Sequence, residues 1–425
     1  MFAKPVYIPD ESVAAKPSAV AWLDARREKA VAAFPGFPSQ NVEQWKYTNV
    51  KPLLAVVAEG RPNQGDISTA AGLLDALPAG PRVVFVNGHY HTALSDVPAI
   101  SGLSVEPLSK SLDGLEPYLG VLSAADEKNG FVSASLAQAE DGFVIRADAD
   151  AEVSLPIVIA HIHTGGAQAE RTFTRSIIVL GESAKLEVIE LAVGVPEAQY
   201  AAIGTTEIFI ADHAELRHTL IQQDSAKGAE VLTRYLTQGK ESQYHGLVFT
   251  TGAKVNRVET HALLTGEKAH TGVHTVQLLR DERHSDSTTR VTHDTTEATS
   301  QQHCRMILDD NARGVFQGKT IVSRDAQKTD GQQLNKNLLL SRTAWVNTKP
   351  ELEIYADDVK CSHGATTGEL DAHSLFYLES RGIDKASARR LLVEAFAEDA
   401  ITEAGVSEEI KDHLRARVAD WMHHG

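Results

Sequence analysis

Between residues 17 and 34 the sequence PSAVAWLDARREKAVAAF sets Val20, Leu23, Ala30, Val31 and Phe34 roughly on one face at helical spacing, and Pro35-Gly36 ends the pattern. EQWKYTNVKPLL, residues 43–54, mixes aromatic and polar side chains with no clear period. RVVFV, residues 82–86, reads as a short apolar strand running into an Asn87-Gly88 turn. Residues 1–139 therefore predict a helical and mixed region, an α/β cap. From about residue 140 the period changes to two. In KLEVIEL, Leu186 and Val188 alternate with Glu187; in ELRHTLIQQ, Leu216, His218 and Leu220 share a face; in ELEIYADD, Leu352 and Ile354 oppose Glu351, Glu353 and Tyr355.

Turn residues recur through this region at a loose interval. Gly181, Asp212, Gly239, Gly266, Asp294 and Asp325 are separated by 31, 27, 27, 28 and 31 residues, and Gly252, Asp281 and Asp310 by 29 and 29. Many short strands at near-constant spacing suit a β-solenoid, each coil stacking on the next. A large sandwich or barrel is the competing all-β architecture. The lack of helices between strands argues against a doubly wound α/β sheet.

Beyond Thr367 helical patterning returns. Asp371 predicts a cap for a helix carrying Leu375, Phe376 and Leu378 that ends at Arg381-Gly382, and Asp384 one for a helix carrying Leu391, Leu392, Ala395 and Phe396. A third helix has Glu408 and Glu409 in its first turn and Ile410, Leu414, Val418 and Trp421 along one side. Three short helices cannot bury their faces alone; they pack on the β body or on another chain. Three regions follow: 1–139, a β core over 140–367, and a helical region over 368–425.

Of 425 residues, 42% are apolar and 23% charged, and the net charge is −16. That balance disfavours nucleic acid and anionic membranes as partners. The N-terminus holds no apolar run suited to a secretion signal, and no stretch approaches the ~18 apolar residues of a membrane span. With only Cys304 and Cys361, no disulfide framework forms, and a cytoplasmic location is expected.

Catalytic motifs are missing: no Walker lysine loop, no G-x-G-x-x-G after a strand, no G-x-S-x-G, no H-E-x-x-H and no paired C-x-x-C. The chain is not expected to be an enzyme. Of 18 histidines, seven lie between His245 and His303. Their expected role is surface solvation or hydrogen bonding along the stack, because a metal site needs three or four converging ligands. Cys304, at the edge of an apolar run, is expected to pack as a small hydrophobe. Cys361 and His363 differ. At i and i+2 on a strand they share a face, and thiolate with imidazole suits zinc or iron–sulfur species. As a nucleophile and base they lack an orienting third group. The alternative is a corner, GATTG at 364–368, turning the chain out of the last coil with Cys361 packed inward.

Several segments carry a family resemblance. ELEIYADDVKCSHGATTGELDAHSLFYLESRGI, residues 351–383, resembles the C-terminal signature of the SufB/SufD family of the SUF iron–sulfur cluster assembly system, in its SufD branch. EQWKYTNV, RVVFVNGHY and AQKTDGQQLNKNLLLS (326–341) fit the same family, so the resemblance spans nearly the whole chain. The SufB branch carries a cysteine in its last coils, at a position aligned near Asn335; no cysteine stands between Cys304 and Cys361 here.

The resemblance implies a mainly β fold, a right-handed parallel β-helix between an N-terminal cap and a C-terminal helical domain. It implies a scaffold that pairs with a SufB-like paralogue through the β-helix and binds a SufC-like ABC ATPase through the C-terminal helices. Leu375, Phe376, Leu391 and Phe396 are the residues expected at that ATPase contact. The isolated chain is expected to hold no cofactor, and the nascent cluster to be shared with the paralogue. His363 is the residue the resemblance puts at the subunit seam, with Cys361 a secondary candidate. Unpaired solenoid edges also allow a homodimer in isolation. Two other readings are an ATPase-docking scaffold without metal contact and a polysaccharide-active β-helix enzyme. The second lacks both a secretion signal and a converging carboxylate set.

Overall fold

A computed structural model describes residues 7–56, 74, 80–126, 128–164 and 170–423. The N-terminal part contains a small hairpin of β1 (Tyr7–Ile8) and β2 (Phe37–Pro38), with helices α1 (Ala21–Ala33), α2 (Lys51–Leu54) and α3 (Gly130–Gln138). It also supplies β3 (Arg82–Val86), β4 (His89–Tyr90), β5 (Leu103–Pro107) and β6 (Phe143–Ala147). Asn87 and Gly88, at φ 49° and 80°, form the tight turn that pairs β3 with β4, as the dipeptide predicted.

The body follows: β7 (Ile157–His163), β8 (Glu170–Leu180), β9 (Lys185–Gly194), β10 (Tyr200–Ile210), β11 (Glu215–Gln223), β12 (Ala229–Gln238), β13 (Gln243–Thr250) and β14 (Val255–Leu264). It continues through β15 (His270–Leu279), β16 (His284–His293), β17 (Thr299–Leu308), β18 (Arg313–Val322), β19 (Asp330–Leu339), β20 (Trp345–Ile354) and β21 (Lys360–Gly368). Odd and even strands alternate between two sheets, in spatial orders β21-β19-β17-β15-β13-β11-β9-β7-β3-β4 and β20-β18-β16-β14-β12-β10-β8-β6-β5. Neighbours from β6 to β21 pair in parallel. This is a two-sheet parallel β-helix, one coil per pair of strands.

The turn spacing marks the corners. Between each even strand and the next odd one, from β8–β9 to β18–β19, Ser183, His213, Glu241, Lys268, Glu297 and Lys328 take positive φ. Each such residue costs roughly 1–2 kcal/mol of backbone strain. The cost is offset because every one donates its N–H to the following coil: Ser183 to the Asp212 carbonyl at 2.9 Å, His213 to Lys240 at 2.8 Å, Glu241 to Glu267 at 2.8 Å, and so on to Lys328 and Asp358 at 2.6 Å. Small buried residues come next, Ala184, Ala214, Ser242, Ala269, Ala298 and Thr329, and they let successive corners stack. At the opposite corner Gly252, Asp281 and Asp310 themselves have positive φ. Both sets of spaced turn residues thus fall at real corners, one set on each edge of the helix.

The inner faces hold apolar and polar residues together. Leu216, His218 and Leu220 all point inward and are fully buried. Glu190 accepts His218 Nε2 at 2.6 Å and Arg234 Nη2 at 2.9 Å. Burial alone would raise the pKa of Glu190, but Arg234 and then His218 hold it well below the usual range. Cys304 also faces inward, 1% exposed, with its thiol pKa raised by burial, the packing role expected of it.

Each outer face is covered. Trp45, Val50, Leu53, Phe131 and Ala134 from the N-terminal part pack on Ala201, Ile203, Ala229, Val231 and Val255 of the even sheet. After β21 come α4 (Ala372–Ser380), which buries no residue, and α5 (Lys385–Glu403) and α6 (Glu408–His423), which lie on the odd sheet. Asp371 and Asp384 cap α4 and α5 through the N–H groups of Ser374 (2.8 Å) and Ser387 (3.0 Å), as predicted. Val393, Ala397, Ile401, Ile410, Leu414 and Val418 share one apolar core with Ile221, Leu247, Phe249, Val276 and Ile307. α5 and α6 therefore pack on the β body of their own chain. Among the described residues no helix is long and apolar enough to cross a membrane.

Buried histidines make the stability pH-dependent. Burial lowers the pKa of His163 to about 3 and of His284 and His293 to about 4, against an ordinary 6.5. A depressed histidine leaves the unfolded chain binding more protons below 6.5, so stability is complete above that value and falls as pH drops toward the folded values. We expect each to cost on the order of 1–2 kcal/mol by about pH 5, read as a fall in urea midpoint relative to neutral pH. Equal midpoints at the two pH values would contradict it.

Candidate functional site

The two ends of the β-helix differ. At the N-terminal end the last strands, β4 and β5, run antiparallel to their neighbours and are short. At the C-terminal end β20 and β21 each pair on one side only. Their outer backbone groups are free to extend both sheets. Trp345, Ile354 and Tyr355 are exposed around this end, at 62%, 40% and 62%.

Cys361 and His363 lie on β21, opposite Gly331 and Gln333 of β19. Following the register back, Cys361 ends the column Leu216, Tyr244, Thr271, Ser300, Gly331; His363 ends the column His218, Gly246, Val273, Gln302, Gln333. Both columns are inward-facing. The two residues thus share the face that lines the helix interior, as alternation predicted, and no further coil covers them.

Their environments differ. Cys361 is half-buried against Val322, Ala326 and Ala356, and burial raises its thiol pKa. A raised pKa keeps the sulfur as thiol at neutral pH, the less reactive form. His363 is exposed. Behind it Gln333 donates to Thr320 Oγ1 at 2.7 Å and to the Glu351 carbonyl at 3.1 Å, while its own buried Oε1 has no partner. Among the described residues no third His, Cys, Asp or Glu converges with this pair. The open end thus presents an imidazole and a thiol on an incomplete site.

The helical residues divide. Phe376 and Leu391 are exposed, at 72% and 42%, with Tyr377 beside Phe376 at 56%. Leu375 is half-buried. Phe396 packs against the shared core and under the Arg305 guanidinium, 5.5 Å from its ring centre, so it faces the body. Leu391 lines a groove of about 380 Å³ between α5 and α6, with Glu394, Glu398, Arg415 and Val418.

The cavity among His161, His163, Thr174, Glu190 and Glu230 has only about 20 Å³ of space, enough for a single water. Sequence reasoning missed the role of EQWKYTN. Trp45 stacks on the buried Arg257 guanidinium at 4.0 Å, and Thr48 donates to Asp286 at 2.5 Å, so the motif clamps the N-terminal layer onto the β-helix. Its lack of a period was the available signal.

Residues 161–396 match the family described as SUF system FeS cluster assembly, SufBD core domain. An iron-sulfur cluster assembly protein SufD of Escherichia coli is 32% identical over 90% of this chain and 89% of its own length. A SufBD family iron-sulfur cluster assembly protein of Synechocystis is 31% identical over 85% and 82%. A SufD protein of Bacillus subtilis is 22% identical over 93% and 92%.

Proposed function

From the premise that this chain belongs to the SufBD family of the SUF iron–sulfur cluster assembly system, we propose that it is the SufD-like scaffold of a three-part complex. Its open C-terminal coil pairs with the corresponding end of a SufB-like paralogue, extending both sheets and closing the incomplete site. His363, with Cys361 beside it, then supplies this chain's side of the seam where the nascent cluster forms as cargo. The α4 and α5 surface around Phe376, Tyr377 and Leu391, with Leu375 at its margin, binds a SufC-like ABC ATPase. The work is done in the cytoplasm, and the chain itself catalyses no reaction.

One observation carries this reading: a lumen-facing imidazole ends its column at the one uncapped end of the helix, with too few ligands of its own. Exposed aromatic side chains on capped helices support the ATPase contact, since such groups dominate binding energy. Co-expression with a SufB-like and a SufC-like partner tests the assignment. We expect the wild-type chain to co-purify both, and Phe376→Glu with Leu391→Glu to lose the ATPase at least about tenfold while keeping the paralogue. Undiminished ATPase capture by the double variant would move that contact elsewhere.

A further inference from the structure

Three histidines of the odd sheet, His245, His274 and His303, lie beneath the end of α5. His274 on β15 and His303 on β17 are register partners, and their rings meet edge to face at 5.3 Å. Glu403, the last residue of α5, reaches down so that its Oε2 is 2.7 Å from His303 Nδ1. One ligand atom from each of His274, His303 and Glu403 lies within 4.8 Å of the other two, the only such triple among the described residues. His245 packs beneath Gly405, two residues past Glu403, and its ring is 5.6 Å from that of His270.

His274 is the informative member. It is 2% exposed, and its Nδ1 has no hydrogen-bond partner. Its outward column reads Leu247, His274, His303, Leu334. Leucine fills the flanking positions, so packing alone does not require imidazoles between them. A buried ring nitrogen without a partner is a cost that a bound cation removes. Arg305, two residues beyond His303, does not compete for Glu403, because Asp399 occupies it at 3.1 Å.

We propose that His274, His303 and Glu403 bind one divalent first-row transition ion, zinc(II) or iron(II), which cross-links β15 and β17 to the end of α5. Two imidazoles and one carboxylate suit these ions rather than magnesium or calcium, which take oxygen ligands. Binding replaces the proton between His303 Nδ1 and Glu403 Oε2 with the ion, on which the three ligand atoms, already within 4.8 Å of one another, converge. The site is remote in sequence from His363 and independent of cluster assembly. It gives the isolated chain a resident ion, where the sequence led us to expect none.

The test uses the full-length chain carrying His363→Ala, stripped of metal, so that the open end does not contribute. Zinc(II) is titrated by calorimetry and cobalt(II) by its visible absorption. One ion per chain is expected, with a zinc-dependent rise in Tm. His274→Ala and Glu403→Gln should each weaken binding at least about tenfold and abolish that rise. Glu403 is exposed, so its variant carries the test if His274→Ala fails to fold. No binding up to ~100 μM zinc, or affinity unchanged in Glu403→Gln, would overturn the proposal.

Discussion

Replacing His363 with alanine is expected to leave the chain folded and bound to its partners while cutting cluster formation at least about tenfold, the usual loss when one metal-handling ligand is removed. Folding is spared because the imidazole is exposed on the terminal strand, with nothing stacked above it. Complex formation is spared because the proposed strand pairing uses the β20 and β21 backbone, which the substitution does not alter. Anaerobic reconstitution of the wild-type and variant complexes, read by the visible absorption of the cluster, separates the outcomes. Normal cluster yield would leave a docking scaffold without metal contact. Cys361→Ser should cost less, since that sulfur is half-buried, packed on Val322, Ala326 and Ala356, and held as thiol.

The solenoid was legible because its local constraints repeat. Each coil needs the same backbone sign at the same corner, so Gly252, Asp281 and Asp310 recur where positive φ is required. Alternation also showed which residues share a face, and Cys361 and His363 do. It could not say which coil stacks on which residue, because interstrand register links positions that are, from β7 to β21 of the odd sheet, 27 to 31 apart without a local signature. For that reason the histidines between His245 and His303 read as one set, solvated at the surface or hydrogen-bonded along the stack. Register divides them: His293 faces the interior and bonds Ser300 at 2.8 Å, whereas His274 is trapped outside the sheet beneath α5. The helices were visible from caps and period, but not that Phe396 turns inward while Phe376 turns out. That depends on which face the odd sheet claims.

The N-terminal motif was least legible, and its partner supplies the largest expected change in stability. Arg257 is fully buried, with Nε 2.6 Å from Glu259 and Nη1 2.5 Å from Asp286, and Trp45 lies over its guanidinium. Thr48 and Gln317 also donate to Asp286, at 2.5 and 3.4 Å. Arg257→Met keeps much of the side-chain volume but leaves two carboxylates buried without their cation. We expect it to cost about 3–5 kcal/mol, as breaking one side of a buried ion pair does. Urea unfolding at neutral pH measures this, and a loss below ~1 kcal/mol would show that the carboxylates are satisfied by other donors. Acid gives a second readout. Burial would raise the pKa of Glu259, but Arg257 and then His261 lower it to about 2 from an ordinary 4.5. Its contribution is therefore complete above 4.5 and is lost as pH falls through about 2. In Arg257→Met the arginine's share of that contribution is gone and only that of His261 remains, so the stability gap between variant and wild type should narrow as pH falls below 4.5. A constant gap would place the cost in lost packing on Trp45 rather than in the ion pairs.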